Sequence, residues 1–392
     1  MKFVAFSYFL ATTMMAPFVQ GKEQETDKTP RLPMNRTAAA TTHQRQATWG
    51  HSWGNSLGPY YMPAEGEPHE GTWLQWPHNY GWDRFHVERY EQIWIDMTKA
   101  LHTGERVHII VYDWYNELDR VRNVLVKEGL DMNQIDFWEY PTDDVWVRDN
   151  GPIFVYDDDD NLMVEDWIFN GWGYKADYYF DDYIPIDVAR DWPLPRVEVD
   201  MVLEGGSIEV DGKGTLMAKK SSILNRNRNP RLTQDDVEWY FETYLGATHF
   251  IWLEGTPGSD ITDDHIDGTA RFAPGNKIVT HRPSDMIDPT EHNVLTNAVN
   301  ANGAPLGIVY LPVTDKVYDN GFKGKYINYY VGNEVVIVPT YGDVKDAEAL
   351  RIVGDLYPDR QIVGIRMDEL WKDGGAAHCV TQQQPMAVRR RD

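Results

Sequence analysis

A single cysteine, Cys379, serves a chain of 392 residues. An internal disulfide is therefore excluded, and stability has to come from the core. Basic residues are scarce too: 37 Lys and Arg stand against 61 Asp and Glu, a formal charge of -24 at pH 7. Such a chain lacks the basic face that a phosphate backbone requires, which argues against nucleic acid as a partner. The balance suits cationic ligands, or simply solubility. Glu204-Gly205-Gly206-Ser207 is not followed by Lys-Ser or Lys-Thr, so it is no phosphate loop. After residue 21 nothing resembles a membrane span. No repeat of fixed period is visible, and no linker follows Pro63.

Aromatic residues, by contrast, are plentiful. Fifteen Trp and 22 Tyr imply sheet packing and aromatic-lined pockets. Residues 1–21 read as a secretory signal, with Lys2, an apolar stretch to Met15 and small residues before a cleavage point. Secretion is the expectation. Residues 22–58 read as a flexible polar tail with a glycosylation sequon at Asn35-Arg36-Thr37. The folded body, 59–388, alternates helices and short strands. Helices are expected over 83–103, 116–128, 233–245, 290–300 and 345–357. Strands are expected at 107–112, 135–140, 153–156, 162–169, 197–202, 207–210, 215–218, 250–253, 269–272, 277–281, 308–311, 326–331, 335–338 and 361–366. One α/β domain built from several similar units is the economical reading.

Chemistry-bearing residues lie in five separate stretches. Cys379 follows Gly374-Gly375 and precedes Thr381-Gln382-Gln383-Gln384-Pro385. A lone cysteine is either a small buried hydrophobe or a nucleophile. Asp149, beside Arg148 and before Gly151-Pro152, is either half of a surface ion pair or a ligand for a cation, with Trp146 as a flat wall. Glu204 ends an apolar strand before two glycines. It either faces water or is buried and needs a partner such as histidine. In Asp263-Asp264-His265-Ile266-Asp267-Gly268, an extended backbone would put His265 and Asp267 on one face, unless the stretch is an acidic surface loop. Asn328 interrupts the aromatic run Tyr326-Ile327-Asn328-Tyr329-Tyr330 and bonds either backbone or substrate. No metal is expected, because these residues lack the paired spacings of a metal site.

Together these motifs resemble the agmatine deiminase and Porphyromonas-type peptidylarginine deiminase family. The matching stretches are Met62-Pro63-Ala64-Glu65 with Glu67-Pro68-His69-Glu70 and Thr72-Trp73, Trp146-Val147-Arg148-Asp149-Asn150-Gly151-Pro152, Leu203-Glu204-Gly205-Gly206, His265-Ile266-Asp267-Gly268, Tyr326-Ile327-Asn328-Tyr329-Tyr330, and His378-Cys379 with Gln382-Gln383-Gln384-Pro385. They come in family order over about residues 60 to 386.

The resemblance implies a pentein fold, a five-bladed α/β propeller in a single domain. It also implies cofactor-free hydrolysis of a guanidinium group in agmatine or in peptidylarginine, through a covalent cysteine thiouronium. The partner is then a small cationic guanidino compound or an arginine-containing peptide, not a membrane or nucleic acid. By matching position Cys379 would be nucleophile and His265 general acid and base. Asp149 and Asp267 would hold the guanidinium, Glu204 would orient the histidine, and Trp146 and Asn328 would line the site. Alternatives are amidino transfer to an amine and a non-catalytic secreted binding propeller. Two departures bear on substrate fit: Asp373-Gly374-Gly375-Ala376-Ala377 stands where the family often has Gly-Gly-Gly-Asn-Ile, and Gly66 replaces the usual Trp.

Overall fold

The computed structural model describes residues 60–78, 84–112 and 116–387, with backbone alone at 84–86. The expected signal 1–21, the tail 22–58 with Asn35, and the outermost residues of the 59–388 body lie outside the described residues.

Among the described residues five sheets share one plan. Each holds an antiparallel pair and a further strand parallel to the second member. In chain order the triplets are Ile153–Asp157, Leu162–Ile168 and Arg196–Val202; Ile208–Val210, Thr215–Lys219 and His249–Leu253; Ala270–Ala273, Lys277–Thr280 and Gly307–Tyr310; Tyr330–Val331, Val335–Thr340 and Gln361–Arg366. The remaining sheet takes its first strand, Gln382–Pro385, from the end of the chain. That strand lies antiparallel to His69–Gln75, which runs parallel to Arg106–Val111. Ile135–Glu139 extends this sheet and Tyr60–Tyr61 extends the next. Gln382 pairs with Trp73, so the two ends of the folded body share a sheet.

A parallel neighbour cannot be reached by a tight turn, so each unit needs a crossover. The crossovers carry helices: Arg84–Leu101, Ile184–Asp191, Gln234–Leu245, Glu291–Thr296 and Asp346–Leu356. Asp346–Leu356 buries Ala349, Val353 and Leu356, four and three residues apart, the spacing of one helix face. The strand it covers, Val335–Thr340, is buried along Val335 to Pro339, as expected for a parallel strand covered on both faces. Gln234–Leu245 opens on a reciprocal cap: Thr233 accepts from the Asp236 N–H, and the Asp236 side chain accepts from the Thr233 N–H. It closes on Gly246 at φ 68°, a backbone that suits glycine.

Three expectations need correction. Only Tyr330–Val331 of the stretch 326–331 is strand. Asn328 Oδ1 accepts from Ala376 N–H at 3.1 Å and its carbonyl accepts from His378 N–H, which pulls the preceding residues out of line. His265 and Asp267 do not share an extended face, because Ile266–Gly268 is a short 3-10 helix that His265 precedes. The helix expected over 290–300 stops at Thr296. The Thr296 hydroxyl and Asn297 amide bond back to carbonyls of the last turn, and Val299 then bridges to Pro305. The helix Ile184–Asp191 and the strand His69–Gln75 were not expected, although Pro185 in the first turn is a legible helix start.

The plan also sets where loops fall. Asp149 precedes Ile153, Glu204 precedes Ile208, Asp267 precedes Ala270, Asn328 precedes Tyr330 and Cys379 precedes Gln382. Each site residue thus enters just before the first strand of a unit. The capping pair is far from these loops in sequence, so Thr233→Ala should cost about 1 kcal/mol in denaturant unfolding. An unchanged midpoint would show that the cap adds nothing.

Candidate active site

The stretch around Asp149 folds as a single helical turn, Val147–Asn150, and both Arg148 and Asp149 are buried. The surface-pair reading therefore fails. Arg148 turns away from Asp149. Its guanidinium donates to Gln383 Oε1 at 2.8 Å and to the His378 carbonyl at 3.3 Å, and its N–H donates to the Cys379 carbonyl. Arg148 thus ties the loop carrying the thiol to the loop carrying Asp149. Asp149 accepts from the Trp172 indole N–H and the Gly206 N–H, both at 2.9 Å.

Gly206 marks the point of convergence. A β-carbon there would lie 2.7 Å from His265 Nδ1, 2.8 Å from Asp149 Oδ1 and 3.2 Å from Asp267 Oδ2. Only a residue without a side chain lets these three groups meet. The same Asp267 Oδ2 lies 3.5 Å from Cys379 Sγ and accepts from Asn328 Nδ2 at 3.2 Å. Asn328 Nδ2 is also 3.3 Å from the sulfur. A β-carbon on Gly375 would meet Trp146 Cζ3 at 2.4 Å and Cys379 Sγ at 3.1 Å, so the indole and the sulfur both crowd that glycine.

His265 is buried and presents its two nitrogens to acids. Nε2 lies 2.9 Å from Glu204 Oε2, and Nδ1 lies 3.7 Å from Asp149 Oδ1. Two consecutive aspartates at positive φ, Asp263 at 64° and Asp264 at 75°, turn the chain before it. Asp263 is held there by Arg228 at 2.9 Å and Lys175 at 2.6 Å. Arg228 also pairs with Glu204, so Glu204 stands between a guanidinium and an imidazole.

These contacts set unequal charge states. Burial pushes Asp149 above the ordinary carboxylate value, and Asp267 and Glu204 add to this although His265 opposes it. Burial would raise Asp267 as well. The His378 hydrogen bond and charge, helped by His265 and Arg271, instead hold Asp267 well below the carboxylate range. Burial works against the His265 cation too, yet Asp149, Glu204 and Asp267 raise it to about 9. The Cys379 thiol is driven well above its ordinary value, by burial first and then by Asp267 and Asp149. The site thus disfavours the thiolate and favours the charged imidazole.

All seven residues singled out from sequence thus belong to one assembly: Trp146, Asp149, Glu204, His265, Asp267, Asn328 and Cys379. Arg228, Asp263 and Trp172 were missed. Trp172 had a signal, since it sits between Gly171 and Gly173, both at positive φ. Arg228, in the polar run Asn225-Arg226-Asn227-Arg228-Asn229, had none. Gly66 leaves room for Arg360, whose guanidinium donates to the Gly66 carbonyl at 2.7 Å. Both line a separate cavity of about 580 Å³ that Cys379 does not reach, so that departure from the family pattern falls away from the sulfur.

Residues 61–385 match the family model described as Porphyromonas-type peptidyl-arginine deiminase. The chain is 32% identical over 358 residues to the agmatine deiminase of Stutzerimonas stutzeri, covering 83% of this chain and 95% of that one. It superposes on the Enterococcus faecalis agmatine deiminase with a TM-score of 0.75 at 28% identity, covering 84% of this chain and 97% of that structure. The C. jejuni agmatine deiminase with substrate bound shares the fold, with a TM-score of 0.75 at 23% identity over 87% of this chain and the whole of that one.

The raised His265 value carries a stability signature. A cation favoured in the folded state stabilises the fold fully below about pH 6.5, and that contribution is lost as pH rises through about 9. The difference in unfolding free energy between the native chain and His265→Asn should therefore shrink across that window. A constant difference would mean that the ring is not charged in the fold.

Proposed function

The chain belongs to the Porphyromonas-type peptidyl-arginine deiminase family, and from that premise we propose that it is a hydrolase of guanidinium C–N bonds, with agmatine as the substrate the relatives favour. The observation that carries this is the meeting of two carboxylates and an imidazole around Gly206, with the only sulfhydryl 3.5 Å from one of the carboxylates. Two carboxylates are suited to the N–H groups of a planar cation and fix its plane. The product would be N-carbamoylputrescine, with ammonia released.

The chemistry follows from the charge states. A guanidinium entering between Asp149 and Asp267 brings positive charge to a thiol that those same anions keep protonated. Its field favours loss of the thiol proton to solvent, and the thiolate is the nucleophile. The new S–C bond gives a tetrahedral carbon. His265, already charged, passes a proton to one amino nitrogen, the C–N bond breaks, and ammonia departs. A thiouronium cation remains on Cys379. His265, now neutral, takes a proton from water as the oxygen bonds to carbon. The C–S bond then breaks as the hydroxyl proton passes to the departing sulfur, which restores the Cys379 thiol, leaves the ureido group and finds His265 charged again. Glu204 favours the charged ring and fixes its plane, with Arg228 behind it.

The five units read as blades of a closed ring. The site residues all enter at the equivalent position, ahead of each unit's first strand, and the end of the chain supplies the first strand of the first sheet. A second substrate reading, arginine within peptides, is favoured by the family description, and the secretory signal expected at residues 1–21 would suit it.

Cys379→Ser should stay folded and lose turnover by at least about 1,000-fold, because an alkoxide is far harder to form than a thiolate near neutral pH. Retained activity removes the sulfur from the mechanism. Asp149→Asn should act mainly on cation binding and alignment, raising KM and slowing kcat on the order of 100-fold. Normal kinetics in that variant would take Asp149 out of the site. Ureido product from agmatine, free arginine and arginyl peptides, measured side by side, ranks the substrates. Agmatine should lead, and a clear preference for peptide would replace it.

A further inference from the structure

His378 is buried one residue before Cys379. Its Nδ1 lies 2.8 Å from Asp267 Oδ2 and its Nε2 lies 2.8 Å from Glu65 Oε2. Both partners are carboxylates, and an ionised carboxylate only accepts. A neutral imidazole carries one N–H, so it would satisfy one contact and turn a lone pair towards the other oxygen. Both contacts are met together when the ring holds two protons.

Glu65 is poorly placed to hold a spare proton. Arg271 Nη2 stands 2.9 Å from the same Oε2 and Arg148 Nη2 stands 3.3 Å from it. Burial notwithstanding, Arg271, His378 and Arg148 keep Glu65 well below the carboxylate range. Arg271 is fixed in turn by Glu209 at 2.8 Å and the Tyr329 carbonyl at 2.8 Å. A buried series of alternating charges therefore runs from Glu209 through Arg271, Glu65 and His378 to Asp267, and ends at the sulfur.

We propose that His378 is a positioning residue: a buried imidazolium that fixes the Asp267 carboxylate in register for the guanidinium plane, with Glu65 and Arg271 as its anchor. Without it Asp267 keeps only the Asn328 amide and the thiol as partners on that oxygen. The last torsion of an aspartate side chain is broad, and Asp149, Glu204 and a thiolate would all repel the carboxylate. A carboxylate displaced by an ångström no longer holds the cation where sulfur can reach its carbon.

This inference rests on the guanidinium-site reading, and one experiment separates the two. Cys379 is the only cysteine, so alkylation reports on it alone. Labelling rates are measured by mass spectrometry with 2-chloroacetamidine, a planar cation, and with neutral iodoacetamide. The native chain should prefer the cation. His378→Gln should lose that preference by on the order of 100-fold while iodoacetamide labelling stays near native. His378→Asn, whose amide nitrogen takes the place of Nδ1, should keep most of the preference, and kcat/KM should follow the same order.

A native chain with no preference overturns the guanidinium site itself. A native preference that His378→Gln retains, equal slowing of both reagents in that variant, or equal losses in Gln and Asn, overturns the positioning role alone. Should the variants fail to fold, 15N NMR of the native chain decides. Hydrogen bonds donated from both ring nitrogens of His378 are expected, and a ring with one bare nitrogen overturns the proposal.

Discussion

A carboxylate taken out of water must find positive charge or several donors, and the site is organised around how Asp267 finds them. Its Oδ2 faces His378, Asn328 and the sulfur at once. Asp149, as deeply buried, bonds two neutral N–H groups and has His265 at a longer distance. The two carboxylates therefore differ in their hold on charge, one pushed up and the other pulled down. Uncompensated, Asp149, Asp267, Glu204 and a thiolate would repel one another strongly in so dry a place. The buried cations Arg228, Arg271 and His265 are what allow them to coexist.

Such an arrangement disfavours the thiolate. Asp149 and Asp267 raise both the thiol and the His265 imidazole. In the proposed reaction the substrate itself brings the charge that releases the thiolate. Reactivity then depends on the ligand, which suits a single cysteine that would otherwise be open to oxidation.

Repetition of one topological unit explains how distant segments meet. Each antiparallel pair begins at an equivalent place, and the loop before it carries a polar side chain: Asp149, Glu204, Asp267, Asn328 or Cys379. Glycines do the fitting. Gly206 gives way to three side chains at once, and Gly375 to the Trp146 ring and the thiol.

Much was legible from the residues alone. Long amphipathic segments such as Asp346–Leu356, and apolar strands such as Gln361–Arg366, declare themselves by periodicity, because burial of one face is a local pattern. The polar motifs singled out residues that the fold brings together, because a lone thiol, an imidazole between acids and a glycine pair after an acid are chemically unusual wherever they fall. Pairing was not legible. Asn328 looked like strand because its aromatic neighbours favour strand, and only bonds to Ala376 and His378 from the chain's end draw it into a turn. Arg228 looked like any polar loop residue until Glu204 and Asp263 closed on it. Sequence determines which side chains are available and which local shapes they prefer. Tertiary structure decides which charges are neighbours, and in a buried site those neighbours fix protonation, because Coulomb energy depends on distance in space rather than distance along the chain.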